Sequence, residues 1–393
     1  MRRGRYVPAD TYEYVRLGDQ ASFPPRNGHY AIQITDELRE ILYLDYVRLA
    51  VVDHPPGTEV HETDKLEPTP ASPPFSKSEL WVLKDRIDVV QATDNTGRDW
   101  TSELRSLDGV RTKPPALRPP QLRGLAEEHS YTLDFGPLDV NQPWVLALNG
   151  WLMWGEAGVA IAAGQNPDLP NPWPRLEAKV DEEWRAVDVT VGAPSGKPPQ
   201  SVLVDLTGAL PAGTTHLRLT AAFEIYWDRA ALFVRDRSER ARTATLAPVR
   251  AELYWRGFPR QTRPDPNGPV LPVISDITPT RPWQTTPSGW CTRYGDILEL
   301  LTEIDDRFVI FNGGDAAVIE FDAALAPLPD GWKRSFFLIS DGWDKDGDYN
   351  VLHGHTVEPL PFHGMDDQLY GLQPRPPAPD DWIERYNTRW VGP

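Results

Sequence analysis

One cysteine in 393 residues, Cys291, rules out a disulfide framework within the chain. With no histidine beside it in sequence, that thiol reads as a small buried hydrophobe rather than a nucleophile. No apolar run approaches 18 residues, so no helical membrane span is expected. The basic N-terminus, Met1-Arg2-Arg3-Gly4-Arg5-Tyr6, has no apolar stretch behind it. It is not a signal peptide and reads as the interior of a longer protein. Positive charge is in short supply: 40 Lys and Arg against 57 Asp and Glu, a formal net charge of −17. Nucleic acid and anionic membranes reward clustered cations and are poor partners for it; no nucleic acid and no membrane insertion are expected. Gly-x-Ser-x-Gly, the phosphate loop and the dinucleotide fingerprint are all missing.

Proline, by contrast, is abundant. Its 41 residues fit loops, turns and edge strands rather than helix interiors. The 15 Trp, 13 Tyr and 12 Phe supply ample core. Alternating runs separated by Pro, Gly and Asn turns predict many short strands. The chain therefore reads as mainly β: tandem jelly-roll or galactose-binding-like β-sandwich domains, then a third β-rich domain with one short helix. Proline clusters and a charged connector place the domains at 1–115, 116–240 and 241–393. The helix is expected over 294–303, where Leu298, Leu300 and Leu301 are apolar.

An internal repeat stands out. Tyr43-Leu44-Asp45 and Tyr226-Trp227-Asp228 each open the pattern Tyr-x-Asp-x-x-x-Leu-x-Val-x-Asp. Two copies of one strand in a duplicated β domain would produce it.

The segments 43–55 (YLDYVRLAVVDHP), 224–230 (EIYWDRA), 293–296 (RYGD) and 340–361 (SDGWDKDGDYNVLHGHTVEPLP) resemble the C-terminal region of large bacterial FG-GAP (VCBS) repeat proteins. Those proteins carry the ASPIC/UnbV region and are similar to cartilage acidic protein. The resemblance implies a surface-exposed or exported, extracellular protein, with no reaction attached to this part. The propeller repeats of that family are lacking here, so their calcium binding does not carry over.

Three constellations are candidates for chemistry. Asp344, Asp346, Asp348 and Asn350 have the alternate spacing of an oxygen-ligand calcium loop, though Tyr349 and His355 stand where such a loop wants Gly and Glu. His353, His355 and His363, with Glu358 between them, fall within eleven residues. Together with the aspartates they suit a transition metal. The acid pairs, among them Asp305-Asp306, read as solvated surface, because neighbouring residues on a strand point to opposite sides. Finally, Trp151, Trp154, Tyr226 and Trp227 beside Asp228 form a candidate sugar-stacking platform. The expected function is a non-catalytic binding or scaffolding region whose partner is a glycan or a protein. The alternative is a metal-dependent enzyme with its site at 341–363.

Overall fold

The computed structural model describes residues 9–63, 65–67, 78–119, 122–153, 155, 159, 163, 165–194, 200–238, 240–263, 270–348, 351–366, 369–378 and 381–392. Strands hold 49 % of the chain and helix 5 %, so the protein is mainly β, as expected. All strand pairing within its sheets is antiparallel. No helix among the described residues is long and apolar enough to cross a membrane.

Four main sheets carry the fold. In the first, Ala9–Asp19, Lys333–Asp346, Glu40–His54 and Arg242–Leu246 lie side by side, and Val309–Ile310 also pairs with Glu40–His54. The second orders Gly295–Asp296, Pro248–Trp255, Asp315–Asp322 and His29–Thr35. Between these two sheets lies a core of Tyr43, Leu301, Phe308, Ile319, Phe321, Phe336 and Trp382. The third sheet runs Glu183–Ala186, Arg175–Val180, His216–Phe223, Leu125–Asp134 and Gln91–Asp94. The fourth runs Gln200–Asp205, Trp144–Leu152, Ile225–Arg235, Leu80–Asp88 and Thr58–Glu62. Trp100, Tyr131, Leu146, Leu148, Leu219, Trp227 and Leu232 fill the space between the third and the fourth.

The units are not consecutive in sequence. Strands of 9–54 pair with strands of 242–346, and 58–235 forms the other two sheets. One sandwich is inserted into the other. The segment 241–393, expected as a third domain, instead completes the first sandwich. The boundaries drawn at 115 and 240 followed proline content, and proline marks loops inside a sandwich as well as loops between sandwiches.

The two sandwiches meet back to back. Ala50, Val52, Phe337 and Ile339 of the first sheet pack on Val60, Leu80 and Val82 of the fourth. Both sheets are thus covered on two faces. That is why Trp144–Leu152 is buried at every one of its nine positions, and why Glu40–His54 reads as a nearly continuous apolar run rather than an alternating one.

The expected helix at 294–303 is only a 3-10 turn, Leu298–Leu301, directly after the short strand Gly295–Asp296. Asp296 accepts a bond from the Leu298 backbone N–H, and four residues suffice to bury Leu300 and Leu301. The charged connector after 236 ends in a strand, Arg242–Leu246, paired with Glu40–His54.

Cys291 is fully buried in the first core, and burial pushes its thiol up to about 12. We expect the folded protein to resist thiol reagents for as long as it stays folded, with one equivalent reacting in denaturant. Rapid labelling without denaturant would show that the core opens there.

Candidate functional site

The repeated Tyr-x-Asp pattern has a structural cause. In Glu40–His54, Leu44 pairs with Gly342 and Tyr46 with Asp341, leaving Asp45 as the extra residue of a β-bulge. In Ile225–Arg235, Trp227 pairs with Gly150 and Arg229 with Asn149, leaving Asp228 as the extra residue. Bulges re-aim a side chain out of the pleat, and both aspartates are aimed alike. Asp45 Oδ2 accepts the backbone N–H groups of Asp305 (3.1 Å) and Asp306 (2.9 Å). Asp228 Oδ1 accepts those of Asp108 (3.1 Å) and Gly109 (3.2 Å).

The likeness extends to the partner strands. Asp341-Gly342-Trp343 faces the first bulge and Asn149-Gly150-Trp151 faces the second. Both glycines are required by space. A Cβ on Gly342 would stand 2.2 Å from the Tyr43 carbonyl oxygen, and one on Gly150 would stand 2.6 Å from the Trp227 ring. The loops match as well: Gly109 and Asp306 both have positive φ, 84° and 65°.

What differs is the chemistry. At the second bulge, Asp228 faces Arg111 (3.7 Å), and Asn149 accepts a bond from Arg229. At the first, Asp45, Asp306 and Asp341 surround one imidazole. His363 Nδ1 is 2.7 Å from Asp306 Oδ1 and 3.8 Å from Asp45 Oδ2, and its Nε2 is 3.0 Å from Asp341 Oδ1. The hydrogen bonds to Asp306 and then Asp341 push His363 up to about 10, against its burial. With both nitrogens donating to carboxylates, it is an imidazolium at neutral pH. Burial raises Asp45 to about 7, although the two backbone donors oppose it. Burial also opposes ionisation of Asp306, but the bonds from His363 hold it below the usual carboxylate range. The Arg375 guanidinium caps the group through the Asp306 carbonyl and lies over the Phe308 and Trp382 rings. One ligand atom from each of Asp45, Asp341 and His363 lies within 4.8 Å of the others.

Only part of the expected metal chemistry assembles here. Asp344 and Asp346 lie in the strand Lys333–Asp346, not in a loop. Their alternate spacing is the period of that strand, whose opposite positions bury Trp343 and Lys345. Asp346 Oδ1 accepts the Asp348 N–H, which turns the chain. Asn350 lies outside the described residues. His353 packs on the Tyr370 ring, and His355 lends its carbonyl to the Ser288 N–H. Of the three histidines, His363 is the one that joins Asp45, Asp306 and Asp341.

The expected sugar platform is interior. Trp151, Tyr226, Trp227 and Asp228 are 8 %, 2 %, 1 % and 3 % exposed, so none of them offers a face to a sugar. Trp151 stacks on Tyr226 at 5.4 Å, and the Tyr226 hydroxyl donates to Glu224. They are core because the fourth sheet is covered on both sides. Trp154 lies outside the described residues.

Exposed indoles are found elsewhere. Trp290 and Trp390 face each other across the two-stranded sheet of Gly289–Cys291 and Arg389–Val391, with ring centroids 5.3 Å apart at 68°. They are 46 % and 57 % exposed. The same sheet is anchored on its other side. Arg389 bonds to Asp315 (2.5 Å) and to the Thr292 carbonyl (2.9 Å), and Cys291 is buried. In sequence, the signal was a Trp alternating with core residues, Gly289-Trp290-Cys291 and Arg389-Trp390-Val391.

Among the described residues, two shallow grooves of about 270 and 360 Å³ open broadly to solvent. One is lined by Arg250, Glu252, Tyr254, Val318 and Glu320, and the other runs beside Trp173 and Arg175. Neither includes the aspartate–histidine cluster or the indole pair.

No known family model matches the chain, and no curated protein matches it.

Proposed function

We propose that this chain is a non-catalytic binding module that takes a glycan on the Trp290–Trp390 face. The observation that carries the reading is two indoles, each about half exposed, on a sheet whose other side is fixed by Arg389 and Cys291. Large aromatics left in solvent on a rigid support are costly to leave unused. Area argues for a sugar rather than a protein. Two half-exposed indoles present roughly 200–250 Å², well short of the about 800 Å² that a stable protein partner needs. Charged residues flank both indoles in sequence, Arg293 after Trp290 and Arg385 before Trp390. One or two sugar rings fit that area.

Affinity electrophoresis against a panel of soluble polysaccharides tests the reading. At least one polysaccharide should retard the protein, and Trp290→Ala or Trp390→Ala should weaken the interaction about ten-fold, some 1.4 kcal/mol. Because neither ring is core, both variants should keep the circular-dichroism spectrum of the parent. Absence of retardation across the panel, or equal retardation of parent and variants, would overturn it.

A further inference from the structure

We propose that Asp45, Asp341 and His363, with Asp306 behind the imidazole, bind one divalent first-row transition cation. The twin bulges supply the argument, because they show what the same backbone does without such a site. The second sandwich has Asn149 where the first has Asp341, and Gly109 where the first has Asp306. Each difference puts a carboxylate into the first site. His363 adds a nitrogen donor from a separate loop. The second site stays a plain backbone clamp with its charge met by Arg111.

An acidic cluster alone would not carry this reading, but Asp45 contributes an independent fact. Its side chain is fully buried, and its Oδ1 has no hydrogen-bond partner, although Oδ2 has two. A buried carboxylate oxygen left bare costs free energy, and Oδ2 of the same carboxyl stands 3.8 Å from His363 Nδ1. Ligand atoms of Asp45, Asp341 and His363 already lie within 4.8 Å of one another. Asp306 accepts from Nδ1 (2.7 Å), the outer carboxylate that commonly orients a metal-bound histidine. Nε2, on the other side of the ring, lies 3.0 Å from Asp341 Oδ1. The His363 side chain is 31 % exposed, so the site can be reached from solvent. The imidazole among the donors favours Zn²⁺, and the two carboxylates also suit Mn²⁺.

The test is isothermal titration of the chelator-treated full chain with Mn²⁺ and with Zn²⁺, supported by melting curves. One ion per chain should bind and raise the melting temperature. Asp341→Asn, close to isosteric, should weaken binding at least ten-fold, and His363→Gln likewise. Asp228→Asn, at the twin bulge, should leave it unchanged. Mn²⁺ electron paramagnetic resonance on the parent needs no variant and covers the case in which one fails to fold. The proposal is overturned if neither ion binds the parent below millimolar concentration. It is equally overturned if Asp341→Asn and His363→Gln bind as the parent does, or if Asp228→Asn loses the ion.

Discussion

Arg229→Ala is expected to lower the unfolding free energy by about 3–5 kcal/mol, the range found when one partner of a buried ion pair is removed. Arg229 is 3 % exposed. Its guanidinium bridges Glu59 through two bonds, 3.2 and 2.8 Å, and its Nε donates to Asn149 Oδ1 at 3.1 Å. Glu59 further receives His61 Nε2 (3.2 Å) and Arg86 (3.0 Å). Burial works against ionisation of Glu59, but the bonds from His61 and Arg229 hold its carboxyl far below the usual range. Removing the guanidinium leaves a half-buried carboxylate short of its main counter-charge, and Asn149 short of a donor. Arg229→Lys keeps the charge with fewer bonds, so it should cost less.

The sign with pH follows from the direction of that shift. Glu59 is harder to protonate in the folded state, so its stabilisation is present above the unfolded carboxylate range. It is lost as pH falls through the folded value. Without Arg229 the loss should begin at higher pH. Urea midpoints between neutral pH and pH 3 measure both effects. A cost under about 1 kcal/mol would place the pair with ordinary surface bridges.

Fold class was legible because it rests on periodicity and proline content, and both report directly on strands. Connectivity was not. Nothing in the composition of 9–54 says that its partners lie nearly 300 residues away, since pairing register is written in side-chain complementarity across sheets. The same blindness moved the aromatic platform indoors. Trp151 and Trp227 look like any tryptophan on a strand, and only tertiary packing covers them, Trp227 in the core between the third and fourth sheets and Trp151 under Tyr226 and Leu271. At the candidate metal centre, the segment 341–363 was visible as dense in Asp and His, and two of its residues, Asp341 and His363, do meet. Asp45 and Asp306 come from two distant segments. Asp45 stands in the repeat, but its meaning depends on a bulge that no propensity announces. Asp305-Asp306 read as a solvated pair. The two do point apart, Asp305 to Arg307 (2.6 Å) and Asp306 to His363, but the second direction leads inward. The stronger clue was the second half of the repeat, Asp341-Gly342-Trp343 against Asn149-Gly150-Trp151. It ties the bulges to their partner strands and marks the position where the two copies diverge in charge.

That divergence predicts unequal costs at equivalent positions. Asp228→Ala should destabilise by about 2–4 kcal/mol, because the N–H groups of Asp108 and Gly109 lose their acceptor at roughly 1–3 kcal/mol each, discounted for partial exposure. Arg111, whose side chain is 27 % exposed, recovers water when its partner leaves and adds little. Asp45→Ala removes the same two bonds, to Asp305 and Asp306. It also removes a fully buried carboxyl crowded by Asp305, which burial has already raised to about 7. Part of the lost hydrogen bonding is therefore offset, and the cost should be smaller by about 1 kcal/mol. Asparagine separates the two contributions, since it keeps an acceptor oxygen and drops the charge. Asp45→Asn should fall within about 1 kcal/mol of the parent in chelator-treated protein, whereas Asp228→Asn, although it also relieves a buried charge, should lose its pairing with Arg111. The two sites lie in different sheets and share no partner, so the double variant should be additive within about 0.5 kcal/mol. Equal costs for Asp45→Ala and Asp228→Ala would mean that burial and the neighbouring Asp305 put no extra strain on Asp45. The first bulge would then be a backbone clamp like its twin.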